Sequence, residues 1–254
     1  MTSLPAEHYI KSCGEYTGKY ECEKLLKDWA DKERVAQKIV EDFKKRVGEL
    51  VGKSLLDVGF GNGTFVVAFA RAGAIVSGIE TNPILFGMAK ENLHKLNIES
   101  NLKIYDGHVF PFENNSFDYI YSTSVLEHVT DPSRFLKEIN KVLKPGGKVY
   151  LSFPNRFAPR ETHTGIWFLS YFPRSMANMF LKSVFKRNSI NELNLHFLSY
   201  FSLVRFLKGT QLKIMFEYDT KNIMKKFIKH FLGILGFHHS VLLKTIMVIL
   251  VKQK

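Results

Sequence analysis

The sequence is poor in what several protein classes require. It has two cysteines, Cys13 and Cys22, in 254 residues. That is too few for a disulfide framework, and their spacing is not that of a metal site. A reduced, cytoplasmic chain is the expectation. No run reaches the roughly 20 apolar residues that a membrane-crossing helix needs; the nearest, Ser240 to Val251, is interrupted by Lys244. The opening MTSLPAEHYIKSCGEY lacks the basic-then-apolar plan of a secretory signal. Acidic residues are scarce in one part only. Residues 1–154 hold 20 Lys+Arg and 20 Asp+Glu, whereas residues 155–254 hold 16 and 4. The whole formal charge of +12 therefore sits in the last hundred residues. Such asymmetry marks a surface suited to phosphate, nucleic acid or anionic lipid.

What is present alternates. Leu25 to Val51 carries apolar residues at near-helical spacing, a helical cap over 1–52 that leads into the core. Ser54–Val58 reads as a buried strand, Gly63–Ala72 as a helix and Ile75–Ile79 as a second strand. Asn82 followed by Pro83, and Asp131 followed by Pro132, each have the cap-then-proline form of a helix start. Leu102–Tyr105, Phe117–Ser122 and Lys148–Phe153 read as further strands, the last preceded by the turn LKPGG. Strands that alternate with helices predict an α/β fold, with a parallel, doubly wound sheet over 53–155. Beyond it lies an aromatic, basic insertion at 156–198, expected to be a lid over substrate. Residues 199–254 are expected to finish the sheet with a helix at Ser199–Leu207 and strands at Leu212–Tyr218 and Thr245–Lys252. Between those strands, Asn222–Phe237 sets Ile223, Met224, Phe227, Phe231, Leu232 and Leu235 against Lys225, Lys226, Lys229 and His230. That is a basic amphipathic helix, of a kind that packs on a core or lies on an anionic membrane.

The first strand runs into LLDVGFGNGTF, Leu55 to Phe65. A glycine-rich turn between a strand and a helix is where doubly wound sheets bind ligands. No GK[ST] follows, so this is not a Walker phosphate loop. Gly59, Gly61 and Gly63 are spaced two and two, and Thr64 stands where a dinucleotide loop has its third glycine. Asp57 precedes the loop, where a carboxylate is awkward beside a pyrophosphate and useful beside an ammonium or sulfonium group. Glu80 ends the second strand, where a carboxylate can accept both hydroxyls of a ribose.

DVGFGNG, the strand end at Glu80, YDGHVFPFENNSFDYIYSTSVLEHV and INKVLKPGGKVYLSFPN together resemble the class I S-adenosylmethionine-dependent methyltransferases. The likeness is greatest to the broad type-11 branch, which includes small-molecule and quinone-ring methyltransferases, and it covers about Leu55 to Asn155. It implies a seven-stranded Rossmann-like sheet and S-adenosyl-L-methionine as cofactor, with S-adenosyl-L-homocysteine as product. It also implies that Gly59–Gly63 supports the methionine part of the cofactor, with Asp57 nearby, and that Glu80 holds the ribose. Asp106, Gly107 and His108 would flank the adenine, and Thr123 would lie by the methionine moiety.

Methyl transfer from a sulfonium is an in-line displacement whose donor is already activated, so alignment supplies much of the rate. A base is needed only if the acceptor loses a proton, as a hydroxyl does. Glu127, His128 and His163 are the candidates. No metal is expected: quinone-pathway relatives carry an acid three residues before the Glu-His pair, and here that residue is Ser124. The NPPY-type motif of amide and nucleobase methyltransferases is also missing, and nucleic acid is not an expected partner. The sequence thus predicts methylation of a small-molecule or lipid-linked acceptor, at oxygen before other atoms, with peripheral membrane contact through the basic final third. Two alternatives are an NAD(P)-dependent oxidoreductase on the same sheet and a non-catalytic RNA- or membrane-binding module that retains the fold.

Overall fold

A computed structural model describes residues 32–184, 194–216 and 223–254. Cys13, Cys22 and most of the expected 1–52 cap lie outside them, as do Lys186, Arg187 and Tyr218. The first described helix, α1 (Lys32–Val47), turns Val40, Phe43 and Val47 inward and leaves Val35 exposed. The core follows as β1 (Ser54–Val58), α2 (Thr64–Arg71), β2 (Ile75–Glu80), α3 (Pro83–Lys95), β3 (Asn101–Ile104), β4 (Phe117–Thr123), α4 (Pro132–Val142) and β5 (Leu143–Pro154). After the insertion come α5 (Arg174–Met179), α6 (Tyr200–Phe206), β6 (Leu212–Met215), α7 (Ile223–Ile234) and β7 (Thr245–Lys252).

The seven strands lie in the order β3-β2-β1-β4-β5-β7-β6. Only β7 runs against its neighbours, β5 and β6. Alternation along each strand feeds two cores. Leu56, Ile120, Val149, Leu151 and Val248 face one side; Leu55, Tyr121, Tyr150 and Ile249 face the other, with Phe43 and Phe69. Both expected caps form: Asn82 Oδ1 accepts from the Ile84 and Leu85 amides, and Asp131 Oδ1 from that of Arg134. Each satisfies amides that a helix start leaves without a backbone partner.

LKPGG differs from its expected form. It is the first part of β5 rather than a separate turn, and the register slips between Phe117↔Leu143 and Tyr119↔Lys148. Gly146, at φ 78°, lets the chain swell there without leaving the sheet. The described part of the insertion has structure of its own. It carries a bridge between Arg160 and Trp167, the helix α5, a π-turn at Phe180–Val184, and a small core of Leu169, Ala177, Leu181 and Leu195.

Candidate active site

The switch in strand order falls between β1 and β4, which start connections in opposite directions from the centre of the sheet. The loops beyond their carboxyl ends enclose a cleft of about 620 Å³. Gly59, Gly61, Glu80, Asp106, Gly107 and His108 line it on one side, and Ser124, Val125, His128 and Asn194 on the other. Most of the residues expected to hold cofactor thus meet at one cavity. Asp57 and Gly63 are not part of the wall. Thr123 does not line it either; its hydroxyl turns to the Tyr121 hydroxyl (3.3 Å). Strand alternation decides this, since Thr123 shares a face with Tyr121, which packs with Phe65 and Phe69.

The loop is held from both ends. The Gly59 amide donates to the Ile79 carbonyl (2.8 Å), and the Gly61 amide to Glu80 Oε2 (3.0 Å). Gly63 caps α2 at φ 81°, and a Cβ there would come within 2.9 Å of Ala89 Cβ. At Gly61 a Cβ would meet nothing within 4 Å, so the loop backbone faces open cleft at its crest. Glu80 Oε1 accepts from the Thr81 (2.8 Å) and Asn82 (3.0 Å) amides. Asp106 Oδ1 accepts from the His108 (2.8 Å) and Val109 (2.9 Å) amides. Those amides hold its carboxyl below the usual carboxylate range.

Asp57 is buried, and its Oδ2 has no hydrogen-bond partner among the described residues. Burial, and then the charge of Glu80, push its pKa well up. A buried carboxylate with an unpartnered oxygen, close to an open glycine crest, fits a ligand that brings a positive group. Asp57, Glu80 and the loop therefore suit a cofactor with a cationic amino acid part and a ribose.

The three candidate catalytic residues also converge. His128 lines the cleft, and its ring meets that of His163 edge-on at 5.0 Å. His163 Nε2 lies 3.8 Å from Glu127 Oε1. Glu127 is 1 % exposed, and neither of its carboxylate oxygens has a hydrogen bond among the described residues. Burial pushes its pKa up to about 7. Glu127, His128 and His163 each offer a ligand atom, all within 4.8 Å of one another, a spacing that could hold a cation.

One member was not anticipated. Glu161 Oε1 lies 3.0 Å from His163 Nδ1 and accepts the His163 amide (3.0 Å), while Oε2 accepts from the Thr164 hydroxyl (2.7 Å). Burial alone would raise its pKa; these bonds and the charge of His163 outweigh burial and bring it to about 2. The signal was in ETHTG: an acid two residues before a histidine in a turn can bond back to the backbone. Asn194, whose amide donates to the His128 carbonyl, had no signal, since sixty-six positions separate them.

Residues 56–151 match the family model described as a methyltransferase domain. Over 107 residues the chain is 37% identical to the ubiquinone biosynthesis O-methyltransferase of Coxiella burnetii, covering 42% of this chain and 46% of that protein. Over 112 residues it is 38% identical to phosphoethanolamine N-methyltransferase 2 of Caenorhabditis elegans, covering 42% and 25%. The chain thus spans about half the length of the first of these relatives, and less of the second. Among solved structures, the YcgJ protein of Bacillus subtilis superposes with TM-score 0.58 at 16% identity, over 87% of this chain and 99% of that one. A Haemonchus contortus phosphoethanolamine N-methyltransferase 2, in complex with S-adenosyl-L-methionine, gives 0.57 at 17%, over 84% and 51%. These likenesses carry the fold. Neither the oxidoreductase nor the non-catalytic module finds support among these matches.

Proposed function

We propose that this chain, whose residues 56–151 match a methyltransferase domain, is a class I S-adenosylmethionine-dependent methyltransferase of the type-11 branch that methylates a hydroxyl of a small-molecule or lipid-associated acceptor. When bound, S-adenosylmethionine supplies an electrophilic methyl. The chain's own residues hold and align it. Gly59–Gly63 and Asp57 would take the amino acid part, Glu80 the ribose, and Asp106, Gly107 and His108 the adenine side of the cleft.

The observation that carries the choice of oxygen is the side-chain cluster on the far wall. A hydroxyl must lose its proton during attack, and His128 is the member of that cluster on the cleft surface. His163 packs against it, fixed by Glu161 and backed by Glu127. We assign His128 as the general base and Glu161–His163 as the pair that positions it. No step of this reading needs a metal, because the position that would complete an acidic ligand set is Ser124.

The insertion would close over the acceptor as a lid. A lipid-linked acceptor and peripheral membrane contact are supported by α7. There Phe227 and Phe231 stack on each other at 6.5 Å while 67% and 53% exposed, beside Lys229 and His230. The side chains of Ile223 to Lys226 lie outside the described residues. Among the described residues no helix is long and apolar enough to cross a membrane.

Calorimetric titration with S-adenosylmethionine, S-adenosylhomocysteine and NADH, on wild type and Glu80→Ala, tests the cofactor. Micromolar binding of the first two, none of NADH, and loss in the variant are expected. Binding of NADH alone would overturn the reading. Transfer of labelled methyl into lipid extracts would then identify the acceptor.

A further inference from the structure

Beside the cofactor cleft lies a second, open pocket of about 450 Å³. Arg156, Arg174 and Arg205 all line it, and among the described residues no acidic side chain does. Phe172 and Phe201 contribute apolar wall. Three guanidinium groups around one concavity repel each other and focus a positive potential into it. Two of them are steadied by their neighbours. Arg205 lies over the Phe206 ring at 5.3 Å, and Arg174 Nη1 lies 3.5 Å from His196 Nδ1. Burial, and then Arg174, lower the pKa of His196, so the pocket's charge belongs to the arginines.

One short segment touches both the pocket and the candidate active site. Asn194 lines the cleft, His196 lines the pocket, and the His196 amide donates to the Glu127 carbonyl (2.7 Å). The segment Asn194–His196 thus links the arginine pocket to the backbone at Glu127 and His128.

We propose that this pocket binds a phosphomonoester carried by the methyl acceptor, whose apolar body packs on Phe172 and Phe201. The inference rests on the methyltransferase reading for the word acceptor, and on the pocket alone for the phosphate. A carboxylate is satisfied by one bidentate guanidinium, whereas three lining one pocket suit a phosphate, with close to two charges and three terminal oxygens. The phosphate could come from a soluble ester or from a lipid headgroup, and both present the same group.

Phenyl phosphate, phenol and inorganic phosphate should be titrated into the full chain with S-adenosylhomocysteine present, using wild type and Arg205→Gln. Arg205 is exposed, so its removal leaves the core intact. Phenyl phosphate is expected to bind wild type and to weaken by about tenfold or more in the variant, as for loss of a charged hydrogen bond. S-adenosylhomocysteine affinity is expected to stay constant, and phenol is not expected to bind. Phosphatidylcholine vesicles doped with phosphatidic acid form the second arm. Retention that depends on Arg205 and yields to phenyl phosphate assigns the group to a lipid. Retention of neither kind, with phenyl phosphate still bound, assigns it to a soluble ester. Equal binding of phenol, no binding of phenyl phosphate, or no effect of Arg205→Gln overturns the phosphate. Equal binding of inorganic and phenyl phosphate overturns the acceptor. Failure of S-adenosylhomocysteine to bind while phenyl phosphate does would remove the methyltransferase reading and leave the phosphate site standing.

Discussion

The two walls of the cleft use opposite chemistry. The wall from β1, β2 and β3 is built of backbone amides and carboxylates whose partners are mostly local: Glu80 with Thr81 and Asn82, Asp106 with His108 and Val109, with one bond across from Gly61 to Glu80. The wall beyond β4 and β5 is built of side chains from distant segments, with imidazoles and buried carboxyls meeting across loops. Glu127 and Glu161 sharpen the contrast. Both are buried and both approach His163, yet one is pushed up to about 7 and the other brought down to about 2. Hydrogen-bond donors make the difference: among the described residues Glu161 has four, and Glu127 has none on its carboxylate. A local wall suits a cofactor common to many enzymes, and a wall assembled from insertions suits an acceptor peculiar to one.

The largest effect that would break this division is at His128. Its replacement by Gln is expected to lower methyl transfer to a hydroxyl acceptor about 10²–10⁴-fold, the range of general-base catalysis. S-adenosylhomocysteine affinity should not change. Single-turnover kinetics and calorimetry check the two halves, and a parallel loss of both would place His128 in the cofactor wall.

The two glutamates should respond oppositely to pH. Glu127 has a folded pKa raised above its unfolded value of 4.5, so ionising it costs stability as pH rises from 4.5 through about 7. Glu127→Gln is therefore expected to gain on wild type, by on the order of 3 kcal/mol, across that interval. Glu161 has a folded pKa depressed to about 2, so its contribution is present above 4.5 and lost as pH falls through 2. Glu161→Gln is expected to lose a similar amount relative to wild type at neutral pH, the deficit closing in acid. Urea denaturation at a series of pH values reads both. Slopes of the same sign would show that the two carboxyls share one environment.

At the loop, Gly63→Ala meets Ala89 Cβ at 2.9 Å and a φ of 81°. A cost of about 2–4 kcal/mol is expected from strain and overpacking together. The denaturation midpoint measures it, and a neutral result would mean that α3 can move away. Chelation with EDTA is expected to leave turnover unchanged. A loss restored by one divalent ion would make Glu127, His128 and His163 a metal site instead of a base cluster. The smallest effect concerns α7. Phe231→Ala should change stability by less than about 0.5 kcal/mol, as for an exposed side chain, while reducing retention on anionic vesicles.

Legibility followed the same division. The strand ends, the glycine loop, Glu80 and both proline-marked helix starts could be read because each depends on neighbours in sequence. Thr123 does not line the cleft, because strand alternation, fixed only when β4 packs, turns its hydroxyl toward Tyr121. LKPGG reads as a turn in isolation, and the pairing with β4 absorbs it as a bulge. Glu161 was visible as a residue and not as a partner, since the value of its position depends on where the turn delivers His163.

By itself the sequence determined the sheet, its glycine-marked ligand site and the lopsided charge, because propensity, periodicity and local hydrogen bonds act over a few residues. Tertiary structure alone decided that His128, His163, Glu127 and Glu161 meet, and that Arg156, Arg174 and Arg205 share one pocket. Those groups come from segments whose distance in space is set by sheet order and by packing of the insertion. No short-range pattern encodes that distance.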